Sequence, residues 1–144
     1  MRDPAERGFS LVELAIVLVV MGLLFTFSIP GFRSISSSYQ LRGAAENIAG
    51  QLRLAREKAI ATGVEQPLHI PSTTMYHIHY PSGPTTAWTL PRGITFTSPT
   101  VGAWLHMAPN GRLNETGSRI IVVRDTRGKQ DTVSVQLSGL ILTK

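Results

Sequence analysis

The sequence predicts an α+β protein in which one long N-terminal helix packs on an antiparallel β-sheet head. Three observations predict it. Residues Phe9–Ile29 form an apolar run of about 21 residues, close to the roughly 20 that a helix needs to cross a bilayer. From Leu41 onward, apolar residues recur at helical spacing. After Gly63, short runs rich in β-branched and aromatic residues alternate with Pro/Gly turn clusters.

Composition bounds the function classes. Of 144 residues, roughly 110 remain once the leader and apolar run are set aside, enough for one small domain. There is no cysteine, hence no disulfide framework and no thiol nucleophile or ligand. The net charge is +5, and the first eight residues contribute none of it, because Arg2 and Arg7 offset Asp3 and Glu6. A modest positive balance reads first as a solvated surface and second as an anionic partner. No phosphate-binding loop, nucleophile elbow or zinc-protease helix motif is present, so no enzyme, cofactor or metal centre is expected.

Residues 1–8 are a short polar leader, and residues 9–29 are the apolar helix. At 1.5 Å per residue the run spans roughly 31 Å, the thickness of a bilayer core. A buried soluble helix would rarely stay apolar on every face for so long. A secretory signal has an apolar region of only about 7–15 residues, with its cleavage site afterwards. Here no such site follows, and the only plausible cleavage residue, Gly8, precedes the run. Two leader arginines against a single Arg33 close behind the run place the N-terminus inside the cell. Within the run stands one charge, Glu13. A carboxylate at bilayer depth costs roughly 2.5 kcal/mol or more, so it marks a functional position.

The segment 30–62 continues the helix. Pro30-Gly31 interrupts the hydrogen-bond ladder, and the serines of 34–38 lower helix propensity, which suggests a kink or joint. Beyond it, Leu41, Ala45, Ile48, Leu52, Ala55 and Ala59 line one face. Arg42/Glu46 and Arg53/Glu57 are i,i+4 pairs on polar faces, and Gly63 is a natural C′ residue. Residues 63–144 form the head. Its expected strands are Glu65–Ile70, Thr74–Tyr80, Thr86–Leu90, Ile94–Thr97, Trp104–Met107, Ile120–Arg124, Val133–Leu137 and Leu140–Leu142. Their short connections imply antiparallel pairing in a sheet covered by the Leu41–Ala59 stripe.

Gly8-Phe9-Ser10-Leu11-Val12-Glu13, opening a long apolar run after a short polar leader, resembles the N-terminal signal of type IV pilins and type II secretion pseudopilins. The resemblance implies a pilin-like fold and a precursor cut by a prepilin peptidase between Gly8 and Phe9, with Phe9 then N-methylated. Gly22 and Pro30 match positions where that family has helix-loosening residues. The resemblance also implies a single-pass inner-membrane subunit with an extracytoplasmic head, assembled with other pilin or pseudopilin subunits. It supplies a partner for Glu13: cleavage creates the α-amine of Phe9, and in a filament Glu13 of one chain can pair with the amine of a neighbour. Breaking a buried ion pair typically costs about 3–5 kcal/mol, so such a pair would fix axial register. The alternative is that Glu13 lies near the interface and stays hydrated.

Two later segments, Leu52-Arg53-Leu54-Ala55-Arg56-Glu57-Lys58-Ala59-Ile60 and Leu105-His106-Met107-Ala108-Pro109-Asn110-Gly111-Arg112, resemble minor pseudopilins of the GspH/FimT type. Arg119, Arg124, Arg127 and Lys129 cluster around a late hairpin. They read as edge-guarding or solvated charges. The alternative is a DNA contact through phosphates. The C-terminal tail Leu137–Lys144 departs from the arginine-bearing tail of the DNA-uptake members. His77 and His79 point to the same face of one strand, with His69 near them; three imidazoles could bind a metal, but no third ligand spacing supports it and they read as polar positions of a half-exposed strand.

Overall fold

The computed structural model describes residues 10–80, 85–114 and 119–144, with the side chains of residues 27–35 outside the description. One helix, α1, covers Leu11–Thr62, and eight strands follow: β1 Gln66–Ser72, β2 Met75–Ile78, β3 Thr86–Thr89, β4 Ile94–Ser98, β5 Trp104–Met107, β6 Arg119–Asp125, β7 Gln130–Val135 and β8 Ile141–Thr143. The chain divides into two compact units, Met1–Ser36 and Ser37–Lys144.

In the first unit the backbone is helical from Leu11, and the assignment runs through Gly22 and Pro30. Ser10 opens the helix: its carbonyl accepts from the Leu14 N–H at 3.1 Å and its Oγ from the Val12 N–H at 3.3 Å. Every described side chain of residues 10–26 is exposed. Among the described residues no helix is long and apolar enough to cross a membrane. The cut at Gly8 and the methylated Phe9 lie outside the described residues, as does the Pro30 side chain.

In the second unit the helical stripe is buried. Leu41, Ala45, Ile48, Leu52, Ala55 and Ala59 are each no more than 1% exposed, and Ala44 and Ala49 widen the face. Burying a Leu or Ile of this kind contributes about 1.5–3 kcal/mol, while the alanines let sheet side chains approach the helix axis. Gly63 ends the helix with φ +68°, and its N–H bonds to the Ala59 carbonyl at 3.0 Å. A side chain at that left-handed position would be strained.

The expected antiparallel β head is present, divided between two sheets. There are two four-stranded sheets, ordered β3-β2-β1-β5 and β4-β6-β7-β8, with every pairing antiparallel. The chain changes sheets after β3, returns with β5 to the free edge of β1, and leaves again for β6. Strand alternation holds in both. Leu68, Ile70, Tyr76, Ile78, Leu105 and Met107 face inward from the first sheet, and Ile94, Phe96, Ile121, Val123, Val133, Val135 and Ile141 from the second. With the helical stripe they form one core. β1 carries Pro67 and Pro71 although it is a central strand; Pro71 falls where the register with β2 shifts, between His69 and Ser72, so its missing N–H lies in an interrupted stretch of ladder. β7 begins at Gln130 and ends at Val135, earlier than the expected Val133–Leu137, because Gln130, Asp131 and Thr132 pair along β6 while Leu137 turns outward.

Candidate functional site

Glu13 stands in the first turn of α1. That position places its negative charge where the helix dipole is positive. Among the described residues it has no ion-pair partner, and its neighbours Leu11, Val12, Leu14, Ile16 and Val17 are exposed apolar side chains. A lone acid on an apolar helix start can accept a cation supplied by another chain. Gly22 has open space where a Cβ would sit, and its carbonyl accepts from Thr26 Oγ1 at 2.9 Å.

The amphipathic half of the helix is locked to the head by two arginines, of which sequence reasoning placed Arg53 on a polar face and Arg56 only in a resembling segment. Arg56 Nε donates to the Gly111 carbonyl at 2.8 Å, and Arg53 Nη2 donates to the Ile141 carbonyl at 3.1 Å. The expected Arg53/Glu57 pair is therefore corrected: the Arg53 guanidinium is drawn to a partly buried carbonyl on β8, where a charged donor gains more than beside an exposed carboxylate. Arg42 and Glu46 do pair, at 3.0 Å. Gly139 packs so closely beneath this lock that a Cβ there would collide with the Gly111 carbonyl oxygen. The two segments that resemble the GspH/FimT type thus touch, Arg56 from the first and Gly111 from the second. Resemblance marked the segments; it carried no signal that they meet.

The basic residues of the late hairpin do not form one surface. In the alternation of β6, Arg119 falls with Ile121, Val123 and Asp125, whereas Arg124 falls with Ile120 and Val122 on the opposite face. Asp125, buried at the β6–β7 turn, organises the rest. Its Oδ1 accepts from the N–H groups of Arg127 and Lys129, both at 2.9 Å, and Oδ2 lies 3.4 Å from Arg127 Nε. Burial pushes the Asp125 carboxyl up, but the Lys129 and Arg127 backbone donors and the Arg127 guanidinium together hold it below its usual value. Lys129 Nζ donates to Ser38 Oγ at 3.3 Å. Arg124, Asp125 and Arg127 line a cavity of about 500 Å³ with Gly93, Thr95, Thr126 and Gly128. The acid in its wall offsets the field that an incoming phosphate would need.

Three histidines converge on the outer face of the first sheet. His69 on β1 is the register partner of His77 on β2, with Nδ1 and Nε2 2.9 Å apart. His79 follows just past β2, its N–H bonded to the Pro67 carbonyl at 3.0 Å. Trp104 on β5 stacks on His69 at 4.1 Å and on His79 at 5.1 Å between ring centroids. Burial first, and the nearby imidazoles second, lower the pKa of His69 and His77. His106 lies on the far side of Trp104 and pairs with Glu65. Alternation put His77 and His79 on one side of a strand, and the tight β1–β2 hairpin brings His69 to them; the β1–β5 pairing that adds Trp104 is non-local and had no sequence signal.

Comparison with known proteins places this geometry. A family model described as the prokaryotic N-terminal methylation motif matches residues 3–29. Two fimbrial proteins of Pseudomonas aeruginosa are each 32% identical over 77 residues, covering 53% of this chain and 49% of theirs. The chain thus spans about half the length of the curated relatives it matches. Among solved structures, the type IV minor pilin FimU of Pseudomonas aeruginosa shares the fold, with a TM-score of 0.65 at 18% identity, over 76% of this chain and 92% of that one. The minor pseudopilin EpsH of the Vibrio cholerae type 2 secretion system does so with a TM-score of 0.54 at 16% identity, over 73% and 96%.

Proposed function

We propose that this chain belongs to the type IV pilin and pseudopilin superfamily, as the matched methylation motif and the shared fold support, and that it is a minor subunit of a short pilus-like filament, either a type II secretion pseudopilus or a type IV pilus. A prepilin peptidase cuts between Gly8 and Phe9, and Phe9 becomes the methylated terminus. Phe9–Ile29 anchors the subunit in the inner membrane, with the head outside the cytoplasm. Glu13 then meets the α-amine of a neighbouring subunit's Phe9 as the apolar helices gather in the filament. The GspH/FimT type is the subfamily reading, supported by the two echo segments. The protein acts by assembly rather than by catalysis.

The observation that carries this reading is the junction itself. A lone carboxylate in the first turn of an exposed apolar helix sits a few residues from a glycine whose cleavage would create the missing cation. Exposed apolar surface of this extent belongs against lipid or other helices. The test is processing. Expressed with a prepilin peptidase, the wild-type chain is expected to yield a mature protein starting at methylated Phe9, read by N-terminal mass analysis. Gly8→Ala, or a larger residue there, is expected to leave the precursor uncut. A mature terminus elsewhere would overturn the assignment.

A further inference from the structure

We propose that His69, His77 and His79 form a three-imidazole site for a divalent transition metal of the zinc class, on the outer face of the β3-β2-β1-β5 sheet. This site is separate from the filament chemistry of the helix start. One ring nitrogen from each of the three lies within 4.8 Å of the others. Two of them, His69 Nδ1 and His77 Nε2, already face each other across the register at 2.9 Å. Zinc–imidazole bonds of about 2.0–2.1 Å in tetrahedral geometry put ligand nitrogens roughly 3.4 Å apart. Closing from the observed spacing asks for side-chain shifts of about 1.4 Å at the third ligand and an opening of about 0.5 Å between the first two.

A second, independent observation concerns the third ring. Among the described residues, His79 Nε2 is buried and has no hydrogen-bond partner. A polar nitrogen withdrawn from water without a partner is unfavourable, and a metal would satisfy it. The other nitrogen of that ring, Nδ1, lies 3.4 Å from Thr85 Oγ1. That contact fixes the ring from behind, in the way outer groups hold metal-ligating histidines. Trp104, stacked on both His69 and His79, restrains two of the three rings.

The donor set selects the ion. Three imidazoles with no carboxylate among them suit zinc, nickel or copper and disfavour magnesium and calcium. Three protein ligands leave a fourth position for water. Binding moves the proton shared between His69 and His77 to a ring nitrogen that does not face the metal, so both lone pairs are free for the ion.

The experiment uses the full chain without a polyhistidine tag, purified in detergent micelles and titrated with zinc chloride against a chromophoric chelator. One zinc ion per chain is expected. His69→Ala, His77→Ala and His79→Ala are each expected to weaken binding by about tenfold or more, while His106→Gln leaves it unchanged. Magnesium is expected not to compete. Because an alanine variant can disturb the sheet, imidazole nitrogen chemical shifts of the wild-type chain give a second reading: zinc should move those of His69, His77 and His79. Absence of saturable binding, binding unaltered in His77→Ala, or zinc-induced shifts confined to His106 would overturn the proposal.

Discussion

At the scale of single residues, charge and its partners decide the chemistry. Glu13 is one carboxylate among exposed apolar side chains, and among the described residues it pairs with no cation. Glu13→Ala is therefore expected to leave cleavage at Gly8 intact and to abolish or strongly reduce incorporation into filaments, measured by sedimentation of sheared fractions. Normal incorporation would remove the pairing model. The histidines make a second case. In the folded chain His69 and His77 titrate below their ordinary 6.5, so below that pH the unfolded chain binds more protons. Stability from these two groups is present above about pH 6.5 and is lost as pH falls through their folded values. In a chelating buffer the melting temperature of the head is expected to drop between about pH 7.5 and about pH 5.5, and the drop should shrink in His69→Gln.

At the scale of elements, each helix and strand follows a local rule, and the joints between them follow none. The buried stripe from Leu41 to Ala59 was legible because helical periodicity is written in neighbouring residues. All eight strands were legible as existing, with ends displaced by a few residues, because alternation and turn residues are local as well. The Arg56–Gly111 bond and the close approach of Gly139 are different, since they tie residues far apart in the chain. Gly139, at φ +80°, stands against the Gly111 carbonyl. Gly139→Ala is expected to cost more than the roughly 1 kcal/mol of an ordinary exposed glycine replacement, and at least as much as Leu52→Ala, about 2–5 kcal/mol. Chemical denaturation of the two variants in the same detergent checks the order.

At the scale of the whole molecule, the distribution of charge decides which partners it can hold. A net charge of +5 invites a nucleic-acid reading, yet Arg119 and Arg124 fall on opposite faces of β6 and a buried Asp125 lies between Arg124 and Arg127. A minor pilin that takes up DNA would need a continuous basic track. The full chain in micelles is expected to show no salt-dependent DNA affinity above that of a chain with Arg124→Gln and Arg127→Gln. A logarithmic fall of affinity with salt that those changes abolish would restore the DNA reading.

The sequence by itself determined the apolar helix with its single acid, the amphipathic continuation and an antiparallel β head. Each of these is a short-range property, a matter of period and spacing. Tertiary structure alone decided that the strands form two sheets, that β5 returns to β1, that Arg53 reaches β8 and Arg56 the turn at Gly111, and that three histidines meet around Trp104. Those arrangements depend on closing long loops, where several pairings of similar local quality compete and the packing of one shared core selects among them.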